Sequence, residues 1–126
     1  MSAFAKPKRI SQTKEQFKGR VREWAAKLDV NVRSIALRPM TNKWASCSTS
    51  GRLNFNSELL RFDSDVADYV IVHELLHFFV PNHGKLWKSL MRAHLGNYEL
   101  LAKRLNTGSA QHLVAKSLTF NNGAID

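Results

Sequence analysis

Ser64-Asp65-Val66-Ala67-Asp68-Tyr69-Val70-Ile71-Val72-His73-Glu74-Leu75-Leu76-His77-Phe78-Phe79-Val80-Pro81, with Asn82-His83-Gly84 behind it, reads as one buried helix carrying a pair of metal-binding histidines. Ser64 is the expected N-cap, Asp65 and Asp68 complement the positive end of the dipole, and Val80-Pro81 marks the stop. Val66, Val70, Ile71, Leu75, Phe78 and Phe79 spread over more than one side, the pattern of a helix enclosed by its domain. His73 and His77 are four apart and expected mid-helix, so their imidazoles stack on one face within reach of a single ion. Two neutral imidazoles and a third ligand leave one position of a tetrahedral zinc open to water, and the intervening Glu74 can take that water's proton. This is the arrangement of a zinc hydrolase. With five His and five Glu in 126 residues, His-Glu-x-x-His arises by chance in roughly 0.8 % of such chains, so coincidence is a weak explanation. A carboxylate inside so apolar a helix also needs a partner, which a zinc site supplies.

The third ligand is expected at His83, where the chain has left the helix at Pro81 and Gly84 makes the turn permissive. Glu99 is the rival, since a carboxylate from a following helix is another common solution. His94 ranks behind both and is expected to pack with Trp87 and Leu90 on its own helix.

Outward from this segment the chain supports one domain. A length of 126 residues with 44 % apolar and 10 % aromatic content is enough for a single core. Its one cysteine, Cys47, forms no internal disulfide and is expected in the core, with a thiol near the metal as the alternative; no early apolar run resembles a signal peptide or membrane span, so a cytoplasmic setting is expected. Residues 1–12 read as a mobile basic arm, 13–105 as the folded domain and 106–126 as a polar C-terminal tail in which Leu113, Val114, Leu118 and Phe120 could dock. Thr13-Lys14-Glu15-Gln16 has capping-box spacing, and Phe17, Val21, Trp24, Ala25 and Leu28 form one face of a first helix. Strands are expected at Val30–Leu37, Trp44–Cys47 and Arg52–Asn56, the last turned by Ser50-Gly51. In that last strand Leu53 and Phe55 are expected to face the core and Asn54 and Asn56 the cleft or solvent, where an exposed edge could pair with an extended peptide or equally be an ordinary sheet edge blunted by polar residues. Helices follow at Lys85–Leu95 and Tyr98–Leu105, with a stop near Gly96-Asn97.

Charge adds a less specific signal. Residues 1–38 hold ten Lys or Arg against three acids and residues 39–126 nine against seven, so the +9 net charge is concentrated away from the histidine helix. Lys6, Lys8, Arg9, Lys14, Lys18, Arg20 and Arg22 could contact the phosphates of a nucleic acid or other polyanion. Ordinary solvated surface charge explains the same excess equally well.

The block from Asp68 through His77, then Asn82-His83-Gly84-Lys85-Leu86-Trp87, resembles the YgjP-like metallopeptidase domain. Lys43-Trp44-Ala45-Ser46-Cys47-Ser48 with Arg52-Leu53-Asn54-Phe55-Asn56 is similar to the strand block before that family's metal helix, with alanine at 45 where glycine is frequent. His83-Gly84-x-x-Trp87-x-x-x-Met91 also resembles the SprT-like zinc domain. The resemblance implies an α+β fold, a minimal zincin-like single domain: an N-terminal helix, a small sheet, the metal-binding helix and C-terminal helices. It implies Zn2+ on His73, His77 and His83, Glu74 as general base, and a peptide or protein substrate. Other readings stay open: hydrolysis of a phosphoanhydride, proteolysis of nucleic-acid-bound proteins, or a non-catalytic polyanion-binding module with a structural metal, for which Glu74 would be superfluous. Tyr98, His94 and Arg104 are the candidates for steadying an oxyanion.

Overall fold

The computed structural model describes residues 12–80, 82–108 and 117–118. Of the expected arm at residues 1–12 only Gln12 is described, and it is buried with its N–H donating to the Leu60 carbonyl oxygen at 3.3 Å; the rest of the arm, and Leu113, Val114 and Phe120, lie outside the described residues. Helix α1 is Lys14–Leu28 and starts on the capping box: the Thr13 hydroxyl accepts from the Gln16 N–H, and the Gln16 side chain accepts from the Thr13 N–H. It ends on Asp29, whose φ of 60° is the left-handed cap that an aspartate tolerates. Phe17, Val21, Ala25 and Leu28 face inward, Phe17 edge-on to Phe55 at 5.1 Å.

The sheet comprises β1 (Ser34–Arg38), β2 (Lys43–Cys47), β3 (Arg52–Asn56) and the two-residue β4 (Ser117–Leu118), in the order β1-β3-β2-β4. β1 runs parallel to β3, β2 antiparallel to β3, and β4 parallel to β2. The register aligns Ile35, Leu53 and Cys47 in one row and Leu37, Phe55 and Ala45 in the next, all buried. Ala45 needs no positive φ, so the family's glycine is dispensable here. Gly51, at φ +96°, is not: a Cβ there would stand 3.0 Å from the Asn31 carbonyl oxygen.

Two expectations for β3 fail together. It lies between β1 and β2 and has no free edge for a peptide. Asn56 is fully buried, because its amide donates to the carbonyls of Met40 and Lys43, both at 3.0 Å, while its oxygen accepts from the Glu58 N–H and caps a 3-10 turn at Ser57–Arg61. Asn54 is half-buried.

Helix α2 is Ser64–Leu76. Its cap is Asp63, one residue before the expected Ser64, with the carboxylate accepting from the Val66 N–H at 3.2 Å. Asp68 does not serve the dipole; it accepts from Arg20 Nε and NH2 (3.0 and 2.8 Å) and from Trp24 Nε1 (2.9 Å), clamping α1 to α2. Ten consecutive or near-consecutive residues from Val66 to Leu76 are buried, as expected of a helix apolar all round. The helix stops four residues short of Val80. The N–H groups of His77, Phe78 and Phe79 each bond three residues back, a tightening turn that the pre-proline restriction on Val80 favours. Helices α3 (Lys85–Leu95) and α4 (Tyr98–Gly108) close the domain, α4 running past the expected Leu105. Among the described residues no helix is long and apolar enough to cross a membrane.

Candidate metal centre

Because α2 ends at Leu76, His73 lies in its last turn and His77 is its C-cap, not mid-helix as expected. The four-residue spacing still stacks them, with ring centroids 5.0 Å apart. The segment after the turn brings His83 to 4.8 Å from both rings. The ligand-type atoms of the three side chains all lie within 4.8 Å of one another.

The donor set suits a divalent metal. His77 Nδ1 faces the Val80 carbonyl oxygen at 3.1 Å; with the proton on Nδ1, Nε2 is left as a lone-pair donor. Burial, then the neighbouring His73, holds the His77 imidazole below its ordinary pKa, which favours the neutral ligating form. His77 Nε2 stands 3.0 Å from His83 Nε2, whereas two nitrogens on one tetrahedral zinc sit roughly 3.3–3.4 Å apart. For this pair, a few tenths of an ångström of ring movement separates the present spacing from a coordinating one.

Glu74 is completely buried beside this cluster, its Oε2 3.7 Å from His73 Nδ1. The Cys47 thiol, in the core as expected, meets the Glu74 backbone carbonyl at 3.9 Å and joins β2 to the same turn of α2. A buried carboxylate beside three imidazoles is placed to exchange a proton with a small molecule held between them.

Other candidates lie elsewhere. Glu99 is exposed and bound by Arg92 at 3.2 and 2.9 Å, which holds its carboxyl below the usual range. His94 is exposed and meets Trp24 of α1 edge-on at 6.0 Å. Arg104 pairs with Asp63, at the opposite end of α2 from the histidines. Tyr98 is buried one layer behind the cluster, against Trp87 at 5.8 Å. Two aromatic neighbours escaped the sequence reading. Tyr69 lies one turn before His73 and edge-on to it at 5.9 Å, with burial pushing its hydroxyl up to about 12; its i, i+4 spacing to His73 was the available signal. Trp87 touches all three histidine rings.

Residues 7–108 match the sequence profile of the YgjP-like metallopeptidase domain. An uncharacterised protein of Methanocaldococcus jannaschii is 31% identical over 96 residues, spanning 72% of this chain and 87% of its own length. The crystal structure of the metallopeptidase zymogen of Methanocaldococcus jannaschii jannalysin superposes with a TM-score of 0.67 at 27% identity, covering 74% of this chain and 96% of that one. The metallopeptidase zymogen of Pyrococcus abyssi abylysin shares the fold, with a TM-score of 0.66 at 15% identity over 78% and 99% of the two chains.

Proposed function

The chain belongs to the YgjP-like metallopeptidase domain family, and from that premise we propose that it is a zinc-dependent peptidase in which His73, His77 and His83 hold the ion and Glu74 moves the proton. The observation that carries this reading is the convergence of three imidazoles around one point with a fully buried carboxylate beside them. Three nitrogen ligands without a thiolate suit a catalytic rather than a structural zinc. When bound, zinc supplies Lewis acidity and a water acidic enough to attack at neutral pH. Glu74 accepts a proton from the attacking water and returns it to the leaving amine. The buried position of Glu74 keeps that carboxylate away from bulk solvent and close to the histidines, where such a transfer is short.

The test pairs metal analysis with hydrolysis of an unfolded protein substrate. Wild-type protein should bind one zinc per chain and cleave. Glu74→Gln should bind the same zinc, keep its fold and lose cleavage, because the amide has the shape but not the basicity. Loss of zinc in that variant would make Glu74 structural instead.

The sheet adds a condition on substrate entry. β4 pairs with Lys43 and Ala45 and so takes the outer edge of β2, the strand whose Cys47 touches the Glu74 turn. The two similar structures are of zymogens. We propose that an extended peptide uses this β2 edge and that β4 must first vacate it. The basic excess of residues 1–38 supports a polyanion as a separate partner, with Lys14 and Arg22 exposed on α1. Arg20 is excluded from that role by its commitment to Asp68.

A further inference from the structure

We propose that the Trp87 indole is a positioning surface for His83, the one histidine of the three that no helix fixes; this rests on the zinc reading above. His73 and His77 take their relative placement from the backbone of α2 and its cap, and the Val80 carbonyl further orients His77. His83 lies between α2 and α3, in a segment whose N-cap, Gly84, makes no side-chain capping bond. Something outside the local backbone has to hold its ring.

Trp87 is four residues further on, in the first turn of α3, and is buried. Its ring centroid is 4.4 Å from that of His83, nearer than to His73 (5.0 Å) or His77 (6.4 Å). The indole thus bridges the histidine of the connecting segment and the helix-bound pair. It is backed in turn: Tyr98 meets it edge-on at 5.8 Å, Arg92 lies over the Tyr98 ring at 5.2 Å, and Glu99 fixes the Arg92 guanidinium. The Trp87 Nε1 atom is buried and has no hydrogen-bond partner among the described residues. The ring therefore acts by shape and contact, and a ring without the N–H should replace it.

Zinc affinity, measured by competition with a chromophoric chelator, and the visible spectrum of the Co2+-loaded protein test the idea, with thermal unfolding of metal-free protein as the control for folding. Trp87→Leu should weaken zinc binding by about tenfold or more, the range seen when groups that orient metal ligands are removed, while Trp87→Phe should stay within about threefold of wild type. In a His83→Ala background, Trp87→Leu should change affinity by less than about twofold, because its effect passes through His83. The Co2+ bands of Trp87→Leu should move toward those of His83→Ala, and those of Trp87→Phe should not. If Trp87→Leu does not fold, Tyr98→Leu takes its place in the same cycle, leaving the indole but removing its backing. Unchanged affinity in the leucine variants, or an equal loss in the His83→Ala background, overturns the proposal. Failure of the wild-type protein to bind zinc would instead overturn the zinc reading.

Discussion

Replacing Asp68 tests whether the α1 clamp holds the histidine helix in place. Its carboxylate accepts three hydrogen bonds, two from Arg20 and one from Trp24, with only 14% of the Asp68 side chain exposed against 34% of Arg20. Hydrogen bonds to a charged group contribute about 1.5–3 kcal/mol each when buried, but exposed ion pairs are worth about 0–1 kcal/mol. For this half-covered site Asp68→Ala should cost about 2–4 kcal/mol, allowing for the indole N–H and guanidinium left behind. At about 4 °C per kcal/mol for a domain of this size, Tm should fall by about 8–16 °C. Asp68→Asn keeps an acceptor for Trp24 and should cost about half as much, as should Arg20→Met, which leaves the Trp24 bond intact. Urea and thermal unfolding of the metal-free proteins supply the numbers. A loss below about 0.5 kcal/mol for Asp68→Ala, or strict additivity of Asp68→Ala and Arg20→Met, would refute the clamp, because groups sharing a bidentate contact must couple.

Three further outcomes can be checked by substitution. His83→Ala should lose metal by more than the roughly 10–100-fold typical of an outer partner, whereas Glu99→Ala should retain it; retention by the first and loss by the second would exchange the ligands. Asn56→Ala should destabilise by about 2–4 kcal/mol in urea, since it strands the Met40 and Lys43 carbonyls and the Glu58 N–H, and Asn56→Asp should do no better because a carboxylate cannot donate. If the basic arm binds nucleic acid, neutralising Lys6, Lys8 and Arg9 should flatten the log-log salt dependence by roughly 0.7–0.9 per lost contact, and binding indifferent to these changes would return the arm to solvated surface.

What could be read from the chain was local. The capping box at Thr13–Gln16, the inward rows of α1, the pairing of His73 with His77 and the core positions of Leu53 and Phe55 all depend on spacing within a few residues, and the structure keeps them. Apart from the two ends of α2, which shifted by local capping and turn geometry, the errors lie where distant segments decide. Asn56 looks like a surface residue until Met40 and Lys43, 16 and 13 residues away, supply its buried partners. β3 looks like an edge until β1 pairs with it from the other side. His94 also meets Trp24 across the fold, a contact that spacing along its own helix does not reveal. Asp68 has the position of a dipole-compensating acid, yet a guanidinium and an indole from α1 claim it. His83 was reachable because the turn chemistry around Pro81 and Gly84 is itself local, while its dependence on Trp87 and Tyr98 needs α4 folded back over α3.

The early end of α2 at Leu76 has an electrostatic consequence. A helix concentrates partial negative charge, about half an elementary charge, at its C-terminal end, where the last carbonyls lack helical partners. Had α2 run on to Val80, that end would lie a full turn beyond His77. With His73 in the final turn and His77 as the cap, the two helical histidines lie close to that end, and the 3-10 turn that takes up the Glu74, Leu75 and Leu76 carbonyls carries it less than a turn further. The field falls off within one turn, so the placement matters. A cation near such a terminus gains about 0.3–1 kcal/mol per unit charge, and up to about 2 kcal/mol where water is partly excluded. His73 and His77 are almost wholly removed from solvent. A divalent ion held by the three histidines would gain from this field whatever its identity, which would leave discrimination among metals to the three nitrogens.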